Sequence, residues 1–151
     1  MAGPAEPSGT SPAEPPETSP AEPSGTSPAA LADNIDVIER GYEYLLGYAA
    51  QGRRDDAGSE VRQTLLDMHV ALEGLGARLG AALAADSPQA ASEAAAFIEA
   101  VADDARKARG AIALVLSRAA ISSLLIDNLN ASIHLRALLT DLFLAAQALP
   151  R

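Results

Sequence analysis

The chain has 151 residues, a formal net charge of −9, 48% hydrophobic and 21% charged residues, and no Cys or Trp. That composition suits one globular domain with a tail, and it excludes disulfides, thiolate nucleophiles and thiolate metal sites. With aromatic residues at only 3%, the core must be packed with Leu, Ile, Val and Ala, which favours close-packed helices over sheets. The expected fold is therefore all-α: a small bundle of four helices, or five, behind a disordered Pro-rich N-terminal leader.

Pro4 to Ser27 form three octads, PAEPSGTS, PAEPPETS and PAEPSGTS, with nothing larger than Glu. Pro at this density removes backbone donors and fixes φ, so an extended, polyproline-like spacer is expected. The alternatives are a docking peptide or phosphorylation at Ser11, Ser19 and Ser27, each of which precedes a proline. The division expected is residues 1–30 as leader and 31–151 as bundle. The start of the chain has neither a basic n-region nor an apolar h-region, which points to the cytoplasm. Nucleic acid is not an expected partner, because the best basic cluster, Arg106, Lys107 and Arg109, sits beside Asp103 and Asp104.

Asp33 or Asn34 can cap a first helix running to about Ala50, with Ile35, Ile38, Tyr42, Leu45 and Ala49 as its stripe. All three tyrosines of the chain, Tyr42, Tyr44 and Tyr48, fall on it. At this spacing the commoner use is a buried ring with its hydroxyl at the rim. Gly52, Arg53, Arg54, Asp55, Asp56 and Gly58 mark a turn.

A second helix, from about Ser59 to Ala84, carries Val61, Leu65, Met68, Leu72, Leu75 and Leu79 in steps of four and three, a coiled-coil-like seam. Gly74, Gly76 and Gly80 each cost about 1 kcal/mol relative to Ala inside a helix. Close approach by a neighbouring helix would compensate. Ser87 and Pro88 then make a cap and a first helical position. The small stripe of Ala91, Ala94, Ile98, Val101 and Ala105 suits tight packing on the Leu seam.

From Pro88 to Leu149 there is no further proline, yet one helix of that length would be exceptional. Gly110 and Asp127 to Asn130 are candidate breaks, and the window chosen is Ser117 to Asn130. Ala111 to Ile126 is apolar almost all round, the pattern of a helix covered on several sides; Arg118 and Asp127 argue against a membrane span. Leu135, Leu138, Leu139, Leu142 and Phe143 form a broad apolar stripe on the last helix. The other helices look too narrow to cover it, so these five residues are the candidate interface, for a second copy of the chain or for a helical protein partner.

No catalytic, cofactor-binding or metal-ligating set emerges. The two histidines lack the Glu-x-x-His pattern of di-iron bundles, since Leu66 and Ala131 stand three residues before His69 and His134. Arg62 and His69, seven apart, share a helix face, but no second polar group joins them. No small-molecule substrate is indicated.

His69, Glu73, Gly74 and Leu79-Gly80 resemble the corresponding stretch of histidine phosphotransfer domains, which are four-helix bundles. That resemblance would imply phosphoryl transfer through His69. The family places a basic and a small residue just after its histidine, where this chain has Leu72 and Glu73, and an acidic neighbour would repel a phosphoryl group. The expected function is accordingly non-enzymatic, acting through protein–protein contact or self-association. Phasin-like coating of a hydrophobic surface and phosphotransfer through His69 are the alternatives.

Overall fold

The computed structural model describes residues 1–5, 9 and 28–150, so the readings of the octad leader, its three Ser-Pro sites included, lie outside the described residues. The described chain is all-helical: α1 (Pro28–Ala49), α2 (Val61–Leu72), α3 (Leu75–Asp86), α4 (Pro88–Glu93), α5 (Ala95–Leu116), α6 (Ser123–Ala131) and α7 (Ile133–Ala148). These seven segments make four arms, because α2 runs into α3, α4 into α5, and α6 into α7 across one- or two-residue breaks. Each arm packs against the arms before and after it in the chain, and the last packs back on α1, which closes a ring around one core.

α1 starts earlier than the Asp33–Asn34 cap predicts. Among the described residues it begins at Pro28, and a proline in a helix's first turn loses no hydrogen bond by its missing N–H. Leu31 is buried and anchors that first turn, so the last three residues assigned to the leader are helical. The buried stripe then runs through Ile35, Ile38, Leu45 and Tyr48, while Tyr42 and Ala49 are only half-buried. Gly41 lies within this stripe, and a Cβ there would come 2.5 Å from Met68 Cγ; the missing side chain is the space Met68 fills.

The seam of the second arm is as the spacing predicts, with Val61, Leu65, Met68, Leu72, Leu75 and Leu79 all buried. The helix beneath it is not continuous. Gly74 adopts φ +65°, a conformation open to glycine without steric cost, and Glu73 is extended, so the rod bends between α2 and α3. Gly76 serves the other expected purpose: a Cβ on it would lie 2.8 Å from the Ala102 Cα, so α3 and α5 approach to near backbone contact there.

Ser87 caps α4 as its position predicts, its Oγ accepting from the Ala90 N–H at 3.2 Å with Pro88 next. From Val101 to Val115, α5 buries Val101, Ala105, Ala108, Ile112 and Val115, and it passes through Gly110 unbroken on its exposed side. The break falls at residues 117–122, within the expected window, and Ser122 caps α6 by accepting from the Leu125 N–H at 3.1 Å. Asp127 to Asn130 do not end a helix, since α6 continues to Ala131 and turns into α7 at the extended Ser132.

The break at residues 117–122 explains the all-round apolar look of Ala111 to Ile126. Two helices of different phase meet in it, with Leu114 and Leu124 exposed and Ile112, Val115, Ile121 and Ile126 buried. No helix among the described residues is long and apolar enough to cross a membrane.

Candidate functional site

One end of the bundle is held by a polar network that joins the 50–60 loop to the 117–122 loop. Tyr48, at the end of α1, donates from its hydroxyl to the Ile121 carbonyl at 2.6 Å, with the Asp55 carbonyl 3.0 Å away. Ser123 Oγ donates to the Tyr48 carbonyl at 2.7 Å and accepts from the Arg53 N–H at 2.8 Å, while its own N–H donates to the Arg53 carbonyl at 2.9 Å. Asp56 accepts from the Ile121 N–H at 2.9 Å and from Arg62 Nε at 3.0 Å. Arg62 also donates to the Leu116 and Arg118 carbonyls, at 3.0 and 3.1 Å.

These bonds decide the electrostatics. The Ile121 N–H and the Arg62 side chain hold the Asp56 carboxyl below its ordinary value. Burial pushes the Tyr48 hydroxyl up, partly offset by Arg53, whose guanidinium lies 5.5 Å from the ring centre. Nearly every polar atom in the network binds backbone of the opposite loop, so its chemistry is that of a clasp. Tyr44 and Tyr48 pack with ring centres 6.4 Å apart, and the Tyr44 hydroxyl accepts from the Glu60 N–H at 3.1 Å. Tyr44 and Tyr48 are thereby committed to tying α1 to the loops that follow it and precede α6. In the sequence this segment reads as a turn only; the flanking Gly52 and Gly58, both at positive φ, are its one local signal.

His69 is half-buried on α2. A basic residue does reach its backbone, but from another helix: Arg109 of α5 donates from Nε to the His69 carbonyl at 3.1 Å and sits 3.8 Å from the Glu73 carboxylate. His134, on α7, lies 3.2 Å from Asp104 of α5. Asp141, one face-repeat further along α7, is pushed above the ordinary carboxyl value by burial first and by Asp104 second. Among the described residues no group of three His, Asp or Glu side chains is placed to hold a metal.

The candidate interface needs correction. Leu135, Leu138, Leu139 and Leu142 are buried in the core of the single chain, and only Phe143 is exposed. The expectation rests on neighbouring helices being too narrow to cover so broad a stripe; α5 packs along α7 and, with α6 and α1, covers it. The residues α7 turns outward are different ones. Ile133 is 73% exposed and Leu144 59%, and with Ala137 and Thr140 between them they follow steps of four, three and four on one face. Phe143, 56% exposed, borders that face, and Ala131, Ile133, Arg136, Ala137 and Thr140 line a shallow groove along it. Other exposed apolar side chains, Leu46, Leu66, Val70, Leu114 and Leu124, are spread over α1, α2, α5 and α6.

Comparison of the chain with protein-family models, with curated proteins and with solved structures finds no match.

Proposed function

We propose that the protein is a cytoplasmic, non-enzymatic helical bundle that acts through self-association, and that two copies pair through the outer face of α7. The observation that supports this reading is the exposure of Ile133, Phe143 and Leu144 on one helix whose opposite side already fills the core. A row at steps of four and three is the spacing by which one helix lies along another. With a two-fold axis near Ala137 and Thr140, Ile133 of one copy faces Leu144 of the other, a self-complementary arrangement that closes at a dimer.

The pairing is weak by its size. Each buried large apolar side chain contributes about 1.5–3 kcal/mol, and association costs about 4–15 kcal/mol, so a handful of residues gives affinity in the micromolar to millimolar range.

Sedimentation velocity of the full chain across that range tests it, beside Ile133→Glu with Leu144→Glu. The wild type should shift from monomer to dimer, while the double variant stays monomeric with an unchanged helical circular dichroism spectrum, because both positions face outward. A wild type that remains monomeric throughout, or a double variant that dimerises as well as the wild type, would overturn the proposal.

A further inference from the structure

The end of the bundle opposite the Tyr48 clasp carries a cleft of about 520 Å³, bounded by the first half of α1, the end of α3 and the end of α7. Its size is within the range of about 300–1,000 Å³ typical of small-molecule sites. The apolar floor includes Ile35 and Ala82, both buried, and the half-buried Leu149. Three carboxylates, Asp36, Glu39 and Asp86, stand among the lining residues, and among the described residues no Lys, Arg, His or aromatic side chain does. Among the described residues none of the three is in an ion pair.

We propose that this cleft binds a small amphipathic cation of the alkylammonium class, its aliphatic chain on Ile35, Ala82 and Leu149 and its nitrogen among Asp36, Glu39 and Asp86. The floor supplies affinity for hydrocarbon, as any apolar surface removed from water does. The carboxylates supply the sign: they attract a cation and repel an anion of the same shape, and their effect weakens as salt screens it. With no aromatic ring among the described lining residues, selection rests on charge and aliphatic volume and not on stacking over a π face. The cleft takes in the end of α7 and not the outer row from Ile133 to Leu144, so this inference does not depend on self-association.

The test is titration of the full chain, followed by amide shifts in ¹H–¹⁵N NMR, with hexyltrimethylammonium, hexyl sulfate and 1-hexanol as probes. The cation should shift the amides of Ala82, Ala85 and Ala146 saturably and bind about tenfold more tightly than the neutral alcohol, with the anion weakest. Asp36→Asn with Asp86→Asn, both at exposed positions, should erase the preference for the cation while leaving the alcohol bound. Ala85→Trp, also exposed and in the lining, should block all three probes by filling the space. Equal binding of cation and anion, shifts confined to another part of the bundle, unaltered binding to Ala85→Trp, or no binding by the wild type would each overturn the proposal.

Discussion

The Tyr48 hydroxyl and the Ile121 carbonyl meet at 2.6 Å across 73 residues of chain, and both groups are buried. That bond ties the end of α1 to the loop that leads into α6. Tyr48→Phe keeps the ring, its packing and the Arg53 guanidinium above it, and so removes the hydrogen bond alone. A buried carbonyl left without its donor costs about 1–3 kcal/mol. The thermal midpoint should fall by several degrees, whereas Tyr42→Phe should leave it unchanged, since the half-buried Tyr42 makes no hydroxyl bond among the described residues. Thermal melts followed by circular dichroism compare the two, and equal midpoints would contradict the clasp.

Asp56 and Asp141 give the fold opposite responses to pH. The Asp56 carboxyl is held low by the Ile121 N–H and Arg62, so its contribution is present above the unfolded pKa of about 3.9 and is lost as pH falls through the lower folded value. The Asp141 carboxyl is pushed up by burial and Asp104, so its contribution is present below the unfolded value and is lost as pH rises through the folded one. At neutral pH an ionised Asp141 therefore opposes folding. Asp56→Asn should destabilise by about 1–3 kcal/mol at pH near 7 and flatten the acid limb. Asp141→Asn should stabilise by up to about 1 kcal/mol at that pH, and the gain should vanish by roughly pH 3, where the aspartate is protonated in both states. Urea midpoints at the two pH values settle both signs.

Gly76 and Gly110 separate close packing from helix propensity. A Cβ at Gly76 meets the Ala102 backbone, so Gly76→Ala forces α3 and α5 apart at a cost of about 1–3 kcal/mol, which exceeds the gain of about 1 kcal/mol in helix propensity. Nothing lies within 4 Å of a Cβ built at the exposed Gly110, so Gly110→Ala should stabilise by about 0.5–1 kcal/mol. Equilibrium unfolding of the two variants should move in opposite directions.

The parts of the fold legible in the sequence are those set by periodicity and local chemistry. The seam from Val61 to Leu79 and the Ser87–Pro88 start are both where their patterns place them. The helix ends at Gly74 and Ala94 are not visible, because a one- or two-residue bend keeps the apolar rhythm nearly intact while it resets the axis; the end at Ser132 falls just past the Asp127 to Asn130 candidate. The stripe from Leu135 to Leu142 is legible as apolar, but not as covered, since coverage depends on which arms become neighbours. The clasp was out of reach for a related reason: Tyr48, Arg53 and Asp56 bind mainly backbone atoms, and a carbonyl such as that of Ile121 has no signature in the side-chain alphabet. Arg109 beside the His69 backbone likewise comes from a helix 40 residues away.

Asn130 is the buried polar residue whose burial the rest of the core does not compensate. It is buried on α6, the helix that packs on α1, α5 and α7, and among the described residues neither its Oδ1 nor its Nδ2 has a hydrogen-bond partner. The sequence suggests a helix stop at this position, but the helix runs on to Ala131 and carries the amide into the core. A buried amide without partners costs about 1–3 kcal/mol, whereas an apolar side chain in the same place has no such penalty. Leucine branches at Cγ as asparagine does, so Asn130→Leu should raise the urea midpoint by an amount equivalent to about 1–3 kcal/mol without altering the helical spectrum. Asn128→Leu, two residues away and exposed, should change it by no more than about 0.5 kcal/mol. A lower midpoint for Asn130→Leu would show that the amide is satisfied in solution and that this residue stabilises the α6–α7 turn.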